Sequence, residues 1–461
     1  MSVIRMDLPK VVAKQRDYFF SNATKSYEFR LKALKKMRAA VQANEEALEK
    51  AMYEDLGKVA QESYMTEIGL VLAEFDLAIR KLKKWMKPKR VRTSVADFPG
   101  ESTIEPQPYG NVLIMSAWNY PFQLTFEPLV GAMAAGNTIL LKPSAMAPHT
   151  MKVMADMVHA AFPAEYIEVV QGDHQDNPDL LRQHYNYIFF TGGKAVGKLV
   201  LEAAIPFTTP VTLELGGKSP CIIDETADIE TAGKRLAWGK ILNSGQTCVA
   251  PDFAYVHKSV MQELIAAVSA ALDSFYPEGA LKADDYPHIV NERHFERVVG
   301  LMKGATIERG GHTNADTLQI EPTILTDVTW DSPVMGEEIF GPLLPVLPYD
   351  DLDEVITLLN SKPEPLAAYM FSTHEPSIEK VTSRLLYGGG CINDVVLHVA
   401  SDSIPFGGVG ASGMGRYHGK YTFNTFSHMK SLLRRPTFVD NPLRFPPYSD
   451  KKLSILRHLL H

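Results

Sequence analysis

The sequence predicts an α/β fold built on a doubly wound parallel sheet, and two observations carry that prediction. Four short runs are largely apolar, and helix-compatible segments separate them. The apolar runs are 112–115, 138–141, 167–170 and 187–190, and the segments between or after them are roughly 123–135, 148–162, 178–184 and 195–204. Apolar strands that alternate with helices are typical of a parallel sheet covered on both faces. Ligands of such sheets bind beyond the carboxyl ends of the strands, so the residues that follow each strand are candidates for a site.

Helices are predicted for the first 86 residues. From Met65 to Met86, apolar side chains recur at steps of three and four, and Pro88 would end the helix. An earlier helix would begin after Asn44, a typical N-cap residue, and end at Gly57. The basic run 81–92 is interpreted as a solvated helix end followed by an edge strand, rather than as an anion or membrane site.

Composition and charge narrow the class of protein. A length of 461 residues is enough for two or three domains, and a net charge of -7 argues against a nucleic-acid-binding protein. Cys221, Cys248 and Cys391 lie too far apart in sequence for a zinc pattern or a disulfide framework, so no metal is predicted. There is no signal segment and no apolar run of about 18 residues. We therefore expect a cytoplasmic protein without an integral membrane segment.

Two stretches in the second half of the chain carry candidate catalytic residues. Cys248 ends a run of small and hydroxyl residues, a setting that leaves its thiol reachable by a substrate. Gly245 lets the backbone approach the thiol closely. Glu214 lies between two leucines, just before a glycine pair, a setting that raises a carboxyl pKa toward the value that a general base needs. A thiol with a separate base suits covalent catalysis. Taken alone, however, a single cysteine is more often a small buried apolar residue.

Further candidates follow the predicted strands. Asn119, after the first strand, is either an oxyanion donor or a turn residue before Pro121. Lys142, after the second strand, would bind a ribose hydroxyl or a phosphate. The glycines within 192–197 would let backbone amides meet a phosphate, although a purely structural turn is equally compatible with their spacing. The acid pair at 337–338 would, without further context, be interpreted as a surface feature.

Six spaced motifs together resemble the aldehyde dehydrogenase superfamily over nearly the whole chain. They are WNYP at 118–121, KPS at 142–144, LELGGK at 213–218, SGQTC at 244–248, EEIFGP at 337–342 and PFGGVG at 405–410. The short N-terminus and the segments TPVTLELGGKSPC and NSGQTCVAPD look most like the class 3 branch. The resemblance implies an NAD(P)-dependent aldehyde dehydrogenase that converts an aldehyde to a carboxylic acid.

The resemblance also implies a domain organisation and an assembly. The parts would be a Rossmann-type dinucleotide-binding domain (1–86 and 107–212), an α/β catalytic domain (213–400), a small oligomerisation hairpin (87–106 and 420–440) and a C-terminal tail (441–461). The tail has the pattern of a short amphipathic helix. Class 3 relatives are commonly dimers, so we expect a homodimer.

Matched residue by residue, the motifs imply a role for each candidate. Cys248 would be the nucleophile, Glu214 the general base for hydrolysis, and Asn119, with the Cys248 amide, the group that holds the oxyanion. The cofactor site would consist of Lys142 at the adenosine ribose, Gly192, Gly193 and Gly197 at the turn beside the pyrophosphate, Glu338 at the nicotinamide ribose and Phe340 beside the nicotinamide.

The cofactor prediction rests on a departure from the family pattern. Many relatives carry a glutamate three positions after the lysine of KPS, where this chain has Ala145. A carboxylate there would bind the ribose 2′-hydroxyl and repel a 2′-phosphate, so its absence should relax the barrier to NADP. We therefore expect the chain to use NAD or NADP. Gly193 replaces the serine of many relatives and would cost one contact to phosphate.

The motifs do not specify which aldehyde is oxidised. Medium-chain aliphatic or aromatic aldehydes are predicted from an apolar entrance, for which the candidates are Tyr64, Met65, Tyr120, Phe122, Val395 and His398. Two alternatives stay open. One is an enzyme that passes its thioester to coenzyme A, which Glu214 disfavours. The other is a non-catalytic structural protein of the same fold, which the joint presence of Cys248, Glu214, Asn119 and Glu338 disfavours.

Overall fold

The computed structural model describes residues 6–173 and 175–459, and the chain begins with helices, as its early periodicity predicts. They are α1 (Leu8–Phe20), α2 (Tyr27–Ala43), α3 (Glu45–Leu56), α4 (Ala60–Ser63) and α5 (Gly69–Trp85). Asn44 is the N-cap of α3, and Gly57 ends that helix with φ of 72°. A left-handed residue at this position favours glycine.

The helix predicted from Met65 onward differs at its start. Tyr64–Ile68 forms a π-helical turn between α4 and α5. This turn directs Glu67 into the interior, where its side chain is fully buried. Insertions of this kind are frequent at functional sites.

The strands of the described residues form three larger sheets and one two-stranded pair. In chain order they are β1 (Lys89–Val91), β2 (Glu101–Pro108), β3 (Asn111–Met115), β4 (Thr138–Lys142), β5 (Ile167–Val169), β6 (Tyr187–Gly192), β7 (Val211–Leu215), β8 (Pro220–Ile223), β9 (Phe253–His257), β10 (Thr306–Arg309), β11 (Thr313–Asn314), β12 (Gln319–Ile320), β13 (Thr323–Thr326), β14 (Leu343–Tyr349), β15 (Ala367–Phe371), β16 (Gly389–Ile392), β17 (Gly413–Met414) and β18 (Ser427–Arg434).

The first large sheet has the order β17-β7-β6-β3-β4-β5 and is parallel except for β17. Its connecting helices are α6 (Gln123–Ala135), α7 (Pro148–Ala161), α8 (Asn177–Leu181) and α9 (Lys194–Ala204). Successive residues of β3 face opposite sides: Val112 and Ile114 belong to the core that contains α6, whereas Leu113 and Met115 pack with α1, α8 and α9. The predicted doubly wound parallel sheet is therefore confirmed.

The second large sheet has the order β10-β13-β14-β9-β8-β15-β16 and is parallel except for β10. The helices of this half are α10 (Ile229–Ile241), α11 (Met261–Phe275), α12 (Glu292–Leu301), α13 (Pro333–Gly336), α14 (Leu352–Asn360) and α15 (Glu375–Arg384). The domain boundary predicted between residues 212 and 213 falls inside β7, which belongs to the first sheet. The chain changes sheets at 216–219, and it returns to the first sheet at β17, beyond residue 400.

Among the described residues, the remaining elements are a third sheet, two helices near the C-terminal end and several short turns. β2 is the centre of a three-stranded sheet, β1-β2-β18, and pairs with β18 from Glu101↔Arg434 to Pro108↔Ser427. α16 (Lys420–Thr425) precedes β18, and α17 (Asp450–Leu459) lies in the tail, where a helix was predicted. The 3₁₀ turns are Val95–Asp97, Ile205–Phe207, Leu242–Gly245, Ala280–Lys282, Leu397–Ala400, Gly410–Ser412 and Pro442–Arg444.

Candidate active site

A cavity of about 1180 Å³ opens past the carboxyl ends of β3, β4, β6 and β7. This is the edge at which a parallel sheet binds its ligands. Its lining includes seven of the nine site residues predicted from the sequence: Asn119, Gly192, Gly193, Glu214, Cys248, Glu338 and Phe340. Residues that are far apart in the chain are thus brought to one space between the two large sheets.

Cys248 follows a backbone segment that is held in an unusual conformation. Asn243, Ser244 and Gly245 have φ values of 50°, 53° and 70°. A Cβ on Gly245 would lie 2.3 Å from the carbonyl oxygen of Gly341, so only glycine fits there. Gln246 holds the segment, because its side chain donates to the carbonyls of Asn243 and His288 at 3.0 Å each. Left-handed non-glycine residues persist where surrounding contacts enforce them, as these do.

Asn119 is hydrogen-bonded to this segment through both its side-chain amide and its backbone carbonyl. Its Nδ2 donates to the carbonyl of Gln246 at 3.0 Å, two residues before Cys248. Its own backbone carbonyl accepts from Asn243 Nδ2 at 2.8 Å and from Lys58 Nζ at 2.7 Å. A side-chain amide has two N–H donors, and the bond to Gln246 occupies one of them.

Glu214 lies on β7 with its side chain buried. Neither of its carboxyl oxygens meets hydrogen-bond geometry with a described residue. Burial raises the pKa of Glu214 well above its usual range, and the backbone amide of Gly408 partly opposes this shift. A carboxyl group in such surroundings is a strong proton acceptor once it is ionised.

The Cys248 thiol shares this electrostatic environment. Burial, followed by the nearby carboxyl groups of Glu338 and Glu214, raises the pKa of Cys248 to about 12. The backbone amides of Cys248 and Val249 act in the opposite direction. The thiol therefore holds its proton at neutral pH, and this proton must leave before the sulfur can act as a nucleophile.

Glu338 reaches across from the second half of the chain to the glycine pair after Glu214. A Cβ on Gly216 would lie 2.1 Å from Glu338 Oε2, so the carboxyl group occupies the space that a larger residue would need. Glu338 Oε1 is buried without a hydrogen-bond partner among the described residues. Burial, followed by the charge of Asp252, raises the pKa of Glu338 to about 8.

A partly buried ion pair holds the Glu338 loop in place. Lys218 Nζ lies 2.5 Å from Asp252 Oδ2 and also donates to the carbonyl of Glu337 at 2.9 Å. The other oxygen of Asp252 accepts from the Ile339 amide at 2.8 Å. Phe340 follows with φ of 49°, and its ring contacts Trp118 edge-on at 5.4 Å between centroids. The aromatic side chain is thereby fixed on the cavity wall.

Of the remaining predicted cofactor residues, Gly193 lines the cavity, whereas Lys142 and Gly197 lie outside its described lining. Gly193 is the N-cap of α9, and a Cβ there would meet nothing within 4 Å. Lys142 is buried and donates to the carbonyl of Pro143 at 3.0 Å. A Cβ on Gly197 would lie 2.9 Å from Leu215 Cδ2, so this glycine permits close packing of α9 on β7.

The predicted apolar entrance is only partly found on the cavity wall. Met65 and Tyr120 line it. The other four candidates are absent from the described lining: Phe122, Val395 and His398 are buried, and Tyr64 is exposed. Leu70, Trp118, Phe406 and Tyr417 complete much of the apolar wall.

Several polar residues near the site had no sequence signal. Lys58 and Glu67 form a fully buried ion pair at 2.6 Å. Glu62 accepts from the Asn243 amide at 2.7 Å, and burial raises its pKa to about 7. These residues lie on or between helices of the N-terminal segment and meet the site only through contacts distant in sequence. No local pattern could have identified them.

Comparison with known proteins identifies the family. Residues 4–432 match the aldehyde dehydrogenase family. The chain belongs to the aldehyde dehydrogenase family. Members of this family oxidise aldehydes with NAD(P), and the chain is an enzyme of this kind. The resemblance and the α/β fold predicted from the sequence are confirmed.

Individual family members are similar over nearly their whole length. The chain is 47% identical over 436 residues to 4,4'-diaponeurosporen-aldehyde dehydrogenase of Staphylococcus aureus (strain NCTC 8325 / PS 47). The aligned region covers 94% of this chain and 95% of that protein. It is 41% identical over 442 residues to the dimeric NADP-preferring aldehyde dehydrogenase of Canis lupus familiaris. That aligned region covers 95% of this chain and 98% of the canine protein. The solved substrate-bound state of Staphylococcus aureus AldH superposes with a TM-score of 0.96 at 44% identity and covers 100% of both chains. Among the helices of the described residues, none combines the length and hydropathy of a membrane span.

Proposed function

We propose that this aldehyde dehydrogenase oxidises medium-chain aliphatic or aromatic aldehydes to carboxylic acids, with NAD or NADP, through a thioester on Cys248. One observation carries the proposal: the Cys248 thiol, the Glu214 carboxyl group and the Asn119 amide border a single cavity. The apolar side chains around that cavity, among them Met65 and Trp118, favour aldehydes with an apolar body.

Acylation begins when the Cys248 thiol releases its proton to water that enters the cavity, and the sulfur then attacks the aldehyde carbon. The C–S bond forms and negative charge develops on the former carbonyl oxygen. The second N–H of Asn119 Nδ2, together with the Cys248 backbone amide, stabilises that oxyanion. When bound, the oxidised nicotinamide supplies the acceptor for a hydride. The carbon that loses the hydride remains attached to Cys248 as a thioester.

Deacylation requires a base other than Cys248, because the sulfur is then occupied by the acyl group. Glu214 accepts a proton from water as that water attacks the thioester carbon. The C–S bond breaks, the carboxylic acid leaves, and the sulfur recovers the proton that Glu214 took from the water. The strong proton affinity that burial gives the Glu214 carboxylate supports this role.

The residues of the cavity fit a nicotinamide dinucleotide. The N-terminus of α9 begins at Gly193 without a side-chain cap, which leaves amides available for a pyrophosphate. Glu338 Oε1, without a partner among the described residues, would accept from the nicotinamide ribose, and Phe340 would lie beside the nicotinamide ring. Lys142, at the end of β4, would contact the adenosine ribose. Ala145 and the NADP preference named for the canine relative support dual cofactor use.

The assembly and location are part of the same proposal. A homodimer is supported by β18, seven of whose eight side chains are exposed, and by the relative that is named dimeric. A cytoplasmic location is supported by the three cysteines, all of them unpaired.

Glu214→Gln tests the mechanism directly. Hydride transfer precedes the step that needs this base, so the variant should form about one equivalent of reduced cofactor per site in the first turnover. Steady-state turnover should then be about 10²- to 10⁴-fold below wild type. Stopped-flow absorbance at the reduced nicotinamide band measures both phases, and mass spectrometry detects the acyl group on Cys248.

Cys248→Ala is the matched control for Glu214→Gln. It should bind cofactor but show neither the rapid first phase nor the acyl adduct. Unchanged turnover in Cys248→Ala would reject the nucleophile assignment. Wild-type enzyme that forms an acyl-coenzyme A and no free acid would establish the acylating alternative instead.

A further inference from the structure

We propose that the buried ion pair Lys58–Glu67 is a positioning device that aims the Asn119 amide at the reacting oxygen. The proposal rests on the proposed function, because it assigns Asn119 to the oxyanion. Neither Lys58 nor Glu67 has a role in the steps described above. Both are positioning residues rather than catalytic residues.

Lys58 is delivered to the interior by local structure. Gly57 ends α3 in a left-handed conformation, and the chain turns inward before α4 begins at Ala60. The Lys58 side chain is 0% exposed, although lysine is almost never fully buried without partners. Its Nζ meets Glu67 Oε1 at 2.6 Å and the Asn119 carbonyl at 2.7 Å.

Glu67 connects the ammonium group to the start of α6. The π-helical turn directs Glu67 inward, and its Oε2 accepts from the amides of Phe122 and Gln123 at 2.9 and 3.1 Å. These amides lie at the first turn of α6, where backbone donors have no partner within the helix. Asn119 therefore lies on a short loop that is anchored to Lys58 on one side and, through Glu67, to α6 on the other.

The same ammonium group also reaches the nucleophile loop. Lys58 Nζ lies 4.0 Å from the centroid of the Tyr120 ring. The Tyr120 hydroxyl is hydrogen-bonded to Thr247 Oγ1 at 2.6 Å, and Thr247 directly precedes Cys248. One buried charge thus organises both the oxyanion donor and the residue beside the nucleophile.

The geometry of Asn119 explains why positioning matters. With one Nδ2 hydrogen on the Gln246 carbonyl, the planar amide fixes the direction of the other hydrogen. Without Lys58, the Asn119 carbonyl keeps only its bond from Asn243, and the loop gains freedom. A buried ion pair is weak evidence for stability, because replacement of both partners by matched neutral residues is often tolerated. The effect of the pair on catalysis can therefore be measured separately from its effect on folding.

The test uses the double variant Lys58→Met/Glu67→Gln in the full-length enzyme. It removes both charges, keeps approximate size, and leaves an amide oxygen at position 67 to accept from the backbone amides of α6. We expect kcat for cofactor reduction to fall about 30-fold, less than the roughly 10²- to 10³-fold that loss of a whole oxyanion donor costs. KM for the aldehyde should stay within about threefold, since substrate binding does not use Lys58.

Asn119→Ala decides whether the pair acts through Asn119. When Asn119→Ala is already present, the double variant should reduce kcat less than about twofold further, because the group being positioned is gone. Lys58→Met alone leaves Glu67 with its two backbone amide donors and free to take up a proton. It should show a similar loss with the same dependence on Asn119, and it replaces the double variant in the test if the double variant does not fold. Arg30→Met is the matched control: Arg30 is a buried cation that donates to the Ala134 carbonyl at the other end of α6. Its kcat should stay within about twofold of wild type.

Two results overturn the proposal. One is a folded double variant, or a folded Lys58→Met variant in its place, with kcat within about twofold of wild type. The other is an equal loss of kcat with and without Asn119→Ala, which would indicate a general structural effect. If Asn119→Ala alone keeps wild-type kcat, the oxyanion assignment in the proposed function fails first, and that single variant reveals it.

Discussion

At the scale of single residues, the site is distinguished by carboxyl groups that are buried without the usual partners. Glu214 and Glu338 both have raised pKa values, and burial is the main cause for each. The direction in which Glu338 changes the stability of the fold with pH follows from the difference between its pKa in the folded chain and its pKa in the unfolded chain. A folded-state pKa of about 8 lies above the ordinary glutamate value. The folded chain therefore holds a proton that the unfolded chain loses, and this contribution to stability disappears as pH rises toward 8.

Glu338→Gln should remove this pH dependence. Between about pH 6 and pH 9, we expect wild type to lose on the order of 2 kcal/mol of unfolding free energy relative to the variant. Urea denaturation of both proteins across that range measures the difference. Glu337→Gln, at the exposed neighbouring position, is the control and should follow wild type. Parallel curves for wild type and Glu338→Gln would contradict the burial argument.

At the scale of elements, we expect the choice between NAD and NADP to depend on the residues that follow β4 and β5. Lys142 ends β4, and burial lowers its pKa while Asp176 and Asp173, in the loop after β5, oppose that shift. The same two carboxylates would face a 2′-phosphate near Lys142 and repel it. We therefore expect that Ala145 removes one electrostatic barrier to NADP binding and that Asp173 and Asp176 retain another.

Asp176→Asn should therefore shift preference toward NADP. We expect the ratio of kcat/KM for NADP to that for NAD to rise about fivefold, because one repulsive charge is removed at partly screened range. Initial rates with both cofactors measure this ratio in wild type and variant. Asp156→Asn, an exposed change on α7, is the control. Wild-type preference for NAD above about a hundredfold would contradict dual use, and an unchanged ratio in Asp176→Asn would contradict the role of the loop.

At the scale of the whole molecule, we propose two units, one built on the six-stranded sheet for the cofactor and one on the seven-stranded sheet for the nucleophile. The three-stranded sheet stands apart as the proposed assembly element. Its strand β18 exposes Leu432 and Leu433 at 40% and 43%. Exposed apolar residues on a strand at the edge of a sheet are typical of a surface that a second copy covers.

Leu432→Asp/Leu433→Asp should convert the expected homodimer to a monomer. Charges at these positions would be buried without partners in the dimer, which disfavours association. Light scattering after size-exclusion chromatography gives the mass. Leu386→Asp, at another exposed leucine, is the control and should leave the dimer intact. A monomeric wild-type protein would reject the assembly proposal.

The sequence was sufficient to predict the strands and the site residues that follow from local patterns of side chains. Residues 112–115 and 138–141 lie in strands as predicted, because every side chain in them is apolar or tolerates burial. Asn119 and Gly192 lie at or beyond strand ends, as the fold requires. The π-helical turn was missed because its apolar spacing is the same as that of an α-helix. No local pattern indicated that β7 joins the six-stranded sheet on both sides, because β7 and β17 pair across about 200 positions of the chain.

The supporting residues of the site could not be predicted for a related reason. Lys58 meets Asn119 across 61 positions, and Glu62 meets Asn243 across 181. Such contacts depend on the finished fold. A lysine or glutamate in an N-terminal helical segment has no local pattern that distinguishes burial from exposure.

The position of β7 has a consequence for how the enzyme could fail. The proposed base, Glu214 on β7, belongs to one sheet, whereas the proposed nucleophile, Cys248, belongs to the half built on the other. The contact of Glu338 with Gly216 is a link between them. Damage that loosened this junction would leave hydride transfer possible but delay hydrolysis. The enzyme would then become trapped with its product attached, open to capture by any stronger nucleophile that diffused in.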